Sequence, residues 1–170
     1  MPPHRRIRAA RFPRFPRFPR FRQYSTGLSL LLAAMLLTGC GGGDPGTGPV
    51  EVKWDRDGCE RCRMVLSERH YAAQVRDPQK RVHLFDDLGC ALIWLEDQPF
   101  KADPKTEIWV TDAADGHWID AREAAYAREH KTPMDYGLGA SENGGPDSLD
   151  FDQAREHIFT VERRFHGGGH

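Results

Sequence analysis

The sequence has 170 residues, a length that suits one domain or two small ones, and its formal net charge at pH 7 is −1. Residues 1–39 hold eight of the 24 basic residues and no acidic residue, so residues 40–170 carry 16 basic and 25 acidic side chains, a net charge of −9. Nucleic-acid binding depends on cationic contacts with phosphates, so this acidic remainder argues against it. It is compatible with handling a cation or with docking on a basic partner.

Residues 1–39 have the pattern of a bacterial export signal. A basic region precedes an apolar run at 28–37, which is shorter than the roughly 20 residues of a bilayer-spanning helix. The Leu-Thr-Gly-Cys segment at 37–40 resembles a lipobox, which predicts cleavage before Cys40 and lipidation of its thiol; an ordinary signal with an incidental cysteine is the alternative. The glycine-rich stretch 40–49 predicts a flexible tether.

These features predict a lipid-anchored protein on the periplasmic side of the cell envelope. The absence of aspartate at position 41 is typical of sorting to the outer rather than the inner membrane. Disulfides form in that compartment. Only Cys59, Cys62 and Cys90 remain once Cys40 is acylated, and an odd number cannot all pair within a monomer. At least one thiol is therefore free, metal-bound or exchanging.

A first structural unit is predicted over residues 50–112. Its predicted elements are a short strand at 50–54, strands at 71–76 and 81–85, a helix from residue 86 or 87 to 97, and a strand at 107–111. Pro78 takes the favoured second place of the turn between the two middle strands. Leu88, Ala91, Leu92 and Leu95 form an apolar stripe at helical spacing.

A second unit is predicted over residues 113–165. Its predicted elements are strands at 118–121 and 124–128, a strand or loop at 136–141, a helix capped by Asp147 or Ser148 that ends near 156, and a final strand at 158–165. Residues 166–170 predict a flexible His/Gly tail. The interleaved order indicates an α+β fold built from two small ββαβ units with short antiparallel sheets.

The motif Cys59-x-x-Cys62-x-Met64 concentrates soft donor atoms. Thiolate and thioether sulfur favour Cu(I), whereas zinc rarely accepts a thioether and wants four Cys or His ligands in structural sites. If the chain after Cys62 is a strand, Cys62 and Met64 point to one face. A Cys-x-x-Cys pair alone is a weak signal, and Arg63 in the next position excludes the c-type haem attachment pattern.

Cys90 is expected near the start of the first helix, off its apolar stripe. The partial charge at a helix N-terminus lowers a thiol pKa, which would make Cys90 reactive. The alternative is a small, partly buried hydrophobic residue. Sequence spacing leaves both interpretations open.

Together these pieces resemble the copper-binding accessory lipoproteins of nitrous oxide reductase, the NosL family. The resemblance rests on the lipobox at Cys40, the Cys59-x-x-Cys62-x-Met64 motif, the Leu-Phe-Asp-Asp-Leu-Gly-Cys segment at 84–90 and Pro133-Met134. It extends over most of residues 50–165. It implies a fold of two small ββαβ units that binds Cu(I), and delivery of that copper to nitrous oxide reductase beside an ABC-type membrane complex.

The resemblance implies Cys62 and Met64 as principal ligands, Met134 as a ligand from the second half, and Cys59 as a frequent companion. The sequence departs from the family at two places, where glycine is usual and Arg63 and Asp135 stand here. His130, four residues before Met134, is the best candidate among the histidines for an extra ligand.

We therefore expect a lipid-anchored Cu(I) carrier without catalytic activity. Two alternatives remain at this point. One is a periplasmic thiol-disulfide oxidoreductase that uses Cys59 and Cys62, although no thioredoxin-like βαβ pattern precedes them. The other is a lipoprotein with a structural zinc ion or disulfide, in which Met64 has no role.

Overall fold

The structure is a computed structural model, and it describes residues 44–166. The predicted signal segment, the lipidation site at Cys40 and residues 167–170 of the predicted tail lie outside the described residues. Within 44–166, no helix has the length and apolar character needed to cross a membrane.

Strands and helices alternate irregularly along this part of the chain. They are β1 (Ala73–Arg76), β2 (Val82–Phe85), α1 (Leu88–Glu96), β3 (Glu107–Thr111), β4 (Trp118–Asp120), β5 (Ala125–Ala127), β6 (Gly139–Ser141) and α2 (Phe151–His166). The predicted α+β class with short antiparallel sheets is confirmed. The first ββαβ order is also confirmed, with ends that differ from the prediction by at most two residues.

The larger sheet has the strand order β2-β1-β3-β4, and every neighbouring pair is antiparallel. In this register Ala73 of β1 lies between Phe85 of β2 and Val110 of β3, and all three are buried. β4 pairs with β3, so the sheet includes a strand from the second predicted unit. β5 and β6 form a separate two-stranded sheet.

Helix α1 packs its apolar stripe against this sheet. Its N-cap is Asp87, whose backbone is extended and whose carboxyl group accepts a hydrogen bond from the Gly89 N–H at 2.7 Å. The predicted stripe is buried, and Cys90 is also fully buried in the first turn. The cap fixes where the helix starts, and therefore where Cys90 lies relative to the end of β2.

The prediction of a strand at 158–165 is wrong, because these residues belong to α2. Ile158, Phe159, Thr160 and Val161 have high β-propensity, but propensity is a weak guide when burial disagrees. Ala154 and Ile158, four residues apart, are both fully buried on one helical face.

The start of α2 also differs from the predicted cap at Asp147 or Ser148. Asp150 and Gln153 form a reciprocal capping box: Gln153 N–H donates to Asp150 Oδ1 at 2.8 Å, and Asp150 N–H donates to Gln153 Oε1 at 3.1 Å. The helix therefore begins at Phe151 and continues to His166, the first residue of the predicted tail.

The segment at 50–54 is not a strand as predicted, because its backbone bonds to side chains and within a local turn instead of to a neighbouring strand. The buried amide of Gln74 bonds to both the N–H and the C=O of Val50, at 2.9 and 2.8 Å. Just before it, the described end of the predicted tether contacts the domain. Asp44 accepts two hydrogen bonds from the buried guanidinium of Arg76, at 2.8 and 2.9 Å.

Candidate metal centre

A tight loop at residues 55–66 carries the Cys-x-x-Cys motif. Its two arms are joined by backbone hydrogen bonds, among them Cys59 N–H to the Met64 carbonyl at 2.8 Å and Leu66 N–H to the Asp57 carbonyl at 2.9 Å. The chain reverses through Arg63, whose φ is +65°. This left-handed backbone is the conformation that glycine adopts without steric cost.

The loop is fixed against the end of β2. The Glu60 N–H donates to the Leu84 carbonyl at 2.9 Å, so the motif lies beside the residues that lead from β2 into α1. Cys59 points inward and is 1% exposed, while Cys62 is half-buried. The Cys62 N–H lies 3.5 Å from Cys59 Sγ and donates to it.

Four side chains from three segments converge at this point. One ligand atom from each of Cys59, Cys62, Asp86 and Cys90 lies within 4.8 Å of all the others. Cys59 and Cys62 come from the loop, Asp86 follows β2, and Cys90 lies in the first turn of α1. All three cysteines are free thiols. Such a set of three sulfurs and one carboxyl oxygen can surround a single metal ion.

Asp86 is aimed into this cluster. The Cys62 thiol donates to Asp86 Oδ2 at 3.2 Å. The other oxygen, Oδ1, is buried and has no hydrogen-bond partner among the described residues. Buried polar atoms are nearly always satisfied, and an exception in a cluster of sulfurs fits a group that a ligand completes.

The three thiols differ strongly in acidity. A hydrogen bond from Cys90 lowers the pKa of Cys59 to about 6, against the opposing effect of burial, and backbone N–H groups of Asp86 and Cys62 contribute. Burial raises the pKa of Cys62 to about 12. The hydrogen bond to Cys59 and burial raise the pKa of Cys90 as well. Cys59 is therefore the most acidic thiol of the metal-free site and the readiest first ligand.

The other two predicted sulfur ligands lie on the motif loop and beside the cap of α1. Met64 follows Cys62 on the same loop, and half of its surface is exposed. Because Arg63 has positive φ, no strand follows Cys62, and the predicted shared face of Cys62 and Met64 does not arise from strand alternation. Met134 is half-buried, and its N–H donates to Asp87 Oδ2 at 3.4 Å, beside the first turn of α1.

His130 lies apart from the four-residue cluster. Its ring packs against Gly139, and its Nδ1 is 3.4 Å from the Tyr71 hydroxyl. The two rings meet edge to face at 5.9 Å. These contacts are those of a residue that packs between Tyr71 and the second sheet.

Sequence reasoning missed Asp86 and did not place Cys90 among the ligands. The available signal was the spacing Asp86-x-x-x-Cys90 across a helix start, which brings a strand-end carboxyl group and a first-turn thiol to the same end of α1. The pairing of this end with the loop depends on the contact between Glu60 and Leu84, which are 24 positions apart. Neither the Cys-x-x-Cys motif nor the spacing from Asp86 to Cys90 reveals that contact.

A second group with metal-ligand chemistry comprises the buried Asp112 and the exposed Asp115 and His117. Both oxygens of Asp112 already accept backbone N–H bonds, from Ala114 at 2.7 Å and Glu142 at 3.2 Å. His117 bonds to Asp115 and lies 3.3 Å from Glu142. Local ion pairing accounts for this group.

The fold and the site together define an α+β protein with a thiol-rich candidate metal centre. No protein-family model matches the sequence, and no curated protein matches it either.

Proposed function

We propose that this protein is an extracytoplasmic, lipid-anchored carrier of Cu(I). One observation carries the proposal: the sulfur atoms of Cys59, Cys62 and Cys90 converge from a loop and a helix on one point. Soft thiolate ligands select Cu(I) over magnesium, calcium and manganese, which prefer oxygen. Three sulfurs leave the ion open to ligand exchange, as transfer to a partner requires.

The position of the site supports transfer rather than permanent storage. Cys59 and Cys90 are buried, whereas Cys62 is half-buried and Met64 is exposed on the same loop. A metal ion in the cluster can therefore be approached from the side of Cys62. Met64, two residues further along the loop, carries a half-exposed thioether, a donor that suits Cu(I) and that zinc rarely accepts.

The backbone at two positions supports the resemblance to the accessory lipoproteins of nitrous oxide reductase. Arg63 and Asp135 stand where that family usually has glycine, and their φ angles are +65° and +56°. Glycine adopts such angles without steric cost, so the loop geometry suits the family's residue. On this resemblance we infer delivery of copper to nitrous oxide reductase beside an ABC-type membrane complex, with anchoring through Cys40 at the outer membrane.

A structural zinc site is the second candidate, and Asp86 is the observation that favours it. Its carboxyl group adds a fourth ligand to the three thiols, and structural zinc is four-coordinate. The exposed thioether of Met64 has no role in that interpretation. A thiol-disulfide oxidoreductase is less favoured, because the acidic thiol of Cys59 is buried and burial raises the pKa of the accessible Cys62.

A competition titration tests the proposal. The reduced protein is titrated anaerobically with Cu(I) against a chromophoric chelator, and the titration is repeated with excess Zn(II) present. We expect one equivalent of Cu(I) that zinc does not displace, and a large loss of affinity in Cys62→Ser.

Equal or tighter binding of zinc would favour the structural site. Reduction of insulin by the native protein, abolished in Cys59→Ser, would favour the oxidoreductase. Either result would contradict the carrier proposal.

A further inference from the structure

Arg61 lies between the two cysteines of the motif, and its side chain connects the site to the second half of the chain. One guanidinium nitrogen, Nη1, donates to Cys90 Sγ at 3.8 Å and to the Tyr136 hydroxyl at 3.1 Å. The other, Nη2, forms an ion pair with Glu162 of α2. The three partners come from α1, the loop before β6 and α2. The side chain is only 22% exposed.

The partners of Arg61 are held in place by one another. The Tyr136 hydroxyl donates to the second carboxyl oxygen of Glu162, so the carboxylate bonds to both residues. The Tyr136 ring is buried directly against Gly89, the residue before Cys90, where any β-carbon would overlap it. We call the three residues Arg61, Tyr136 and Glu162 the arginine clamp.

The geometry points to Arg61 as a positioning residue of the metal site: through the arginine clamp it holds the sulfur of Cys90 in place as the third sulfur ligand. The inference deepens the proposed function and rests on it. Cys62 and Cys59 share one short loop and need little further alignment. Cys90 is on a different element, where its thiol bonds to Cys59 and its sulfur also accepts from Arg61, whose other bonds reach the second half of the chain.

Charge gives the contact a second effect. Three thiolates around one Cu(I) ion leave excess negative charge in a largely buried place, which is costly without a compensating cation. A guanidinium presents donors in a fixed fork and keeps its charge when buried, so it suits this position better than an ammonium group. Groups that orient metal ligands in this way typically change affinity by about 10- to 100-fold when they are removed.

The test compares Arg61→Gln with a matched control on the same loop, Arg63→Gln. The Arg63 side chain is exposed, and its ion-pair partner is Glu60 at 3.8 Å. X-ray absorption at the copper edge counts the sulfur neighbours of bound Cu(I), and chelator competition gives the affinity. We expect the same number of sulfurs in the native protein and in Arg63→Gln. We expect one sulfur fewer and roughly tenfold weaker binding in Arg61→Gln.

The native sulfur count together with native affinity in Arg61→Gln would overturn the inference, and so would loss of folding stability with unchanged coordination. If Arg61→Gln does not fold, Arg61→Lys decides. Lysine retains the charge but cannot bond to the thiol, the phenol and the carboxylate as one planar fork. We expect it to fold and to bind Cu(I) more weakly than the native protein, and native affinity would contradict the clamp.

The design separates the clamp from the copper proposal. If the native protein does not bind Cu(I) tightly, the proposed function fails. Cd(II), which also binds thiolates, is then used as the probe, and its absorption edge counts sulfurs in the same variants. A loss of one sulfur in Arg61→Gln with Cd(II) supports the clamp, and an unchanged count overturns it.

Discussion

The thiol of Cys62 donates to one oxygen of Asp86 at 3.2 Å, while the other oxygen of that carboxyl group is buried without a hydrogen-bond partner among the described residues. The next residue, Asp87, is equally buried, but its carboxyl group accepts bonds from Gly89 N–H, Met134 N–H and the Thr132 hydroxyl. Adjacent carboxyl groups thus differ in whether the fold satisfies them. The carboxyl group of Asp86, which has the unsatisfied oxygen, is the one that faces the sulfurs.

Asp86→Asn is therefore expected to stabilise the metal-free protein. An unsatisfied buried acceptor costs about 1–3 kcal/mol, and the amide replaces it with a donor that faces the sulfurs. Urea denaturation gives the free energy of unfolding, with a chelator present to remove metal and a reductant to keep the thiols reduced. Asp87→Asn is the matched control and is expected to destabilise, because it sets an amide donor among three donors. A less stable Asp86→Asn protein would show that the carboxyl group is needed by the fold itself.

The same Asp86→Asn variant discriminates between the two metal ions. Cu(I) is satisfied by the thiolates, so its affinity is expected to change little. Zinc needs a fourth ligand, so its affinity is expected to fall by about tenfold or more. Competition titrations with each ion provide the comparison. Equal losses for both ions would place the carboxyl oxygen among the ligands of either ion.

Affinity for Cu(I) is expected to rise by about two log units per pH unit between about pH 7 and 9, since thiolates are the ligands and binding releases their protons. With its pKa lowered to about 6, Cys59 has already lost its proton in that range. Cys62 and Cys90, whose pKa values are raised, still hold theirs. Each proton released on binding adds one log unit of affinity per pH unit. Affinity rises with pH because fewer protons compete with Cu(I) for the thiolates.

The control for this slope is Cys90→Ser, which keeps a hydroxyl donor beside Cys59 but removes one thiol proton. Its slope is expected to fall to about one log unit per pH unit. Potentiometric titration of the protons released on Cu(I) addition gives an independent count. A slope near one in the native protein would mean that only one of Cys62 and Cys90 loses its proton on binding, and an unchanged slope in Cys90→Ser would then exclude Cys90 from the ligands.

Met64→Leu is expected to weaken retention of Cu(I) by about tenfold, because it removes the half-exposed thioether of the motif loop. Chelator competition and the rate of Cu(I) loss to the chelator are the measurements. Val65→Ala serves as the control, since Val65 is an equally exposed apolar neighbour without sulfur. Folding stability should change little in either variant. Unchanged retention in Met64→Leu would favour the structural zinc site.

The first half of the fold could be predicted because its signals are local. Pro78 marks the turn between β1 and β2, Asp87 caps α1, and the apolar stripe of α1 has helical spacing. The helix at residues 158–165 could not be predicted, because Ile158 and its neighbours favour a strand locally. Only their packing against the rest of the domain selects the helix.

The candidate site was predictable in part for the same reason. Cys59 and Cys62 share a short motif, so their proximity follows from spacing. The addition of Asp86 and Cys90 depends on the loop reaching the end of β2, a tertiary contact with no local signal. The exposed position of Met64 depends on the backbone angle at Arg63, which period-two alternation does not anticipate.

Arg63→Gly is expected to stabilise the protein modestly. A left-handed backbone costs a non-glycine residue about 1–2 kcal/mol, and the extra freedom of glycine in the unfolded chain returns part of that. Asp135→Gly is expected to increase folding stability less than Arg63→Gly does, because aspartate tolerates the left-handed conformation better than arginine does. Chemical denaturation compares the two. A loss of stability in Arg63→Gly would mean that the Arg63 side chain contributes more than its single exposed ion pair indicates.

Gly89→Ala is expected to disturb both the fold and the site. A β-carbon at Gly89 would overlap the ring of Tyr136, which is buried and bonded through its hydroxyl to Arg61 and Glu162. Overpacking of this kind costs about 1–3 kcal/mol, measurable by urea denaturation. Moving Tyr136 should also move Arg61 away from Cys90, so Cu(I) affinity should fall. Gly58→Ala is the control, because a β-carbon there meets the Met64 carbonyl at an ordinary 3.8 Å. Destabilisation by Gly89→Ala without any change in Cu(I) coordination would separate the packing of Tyr136 from the geometry of the metal centre.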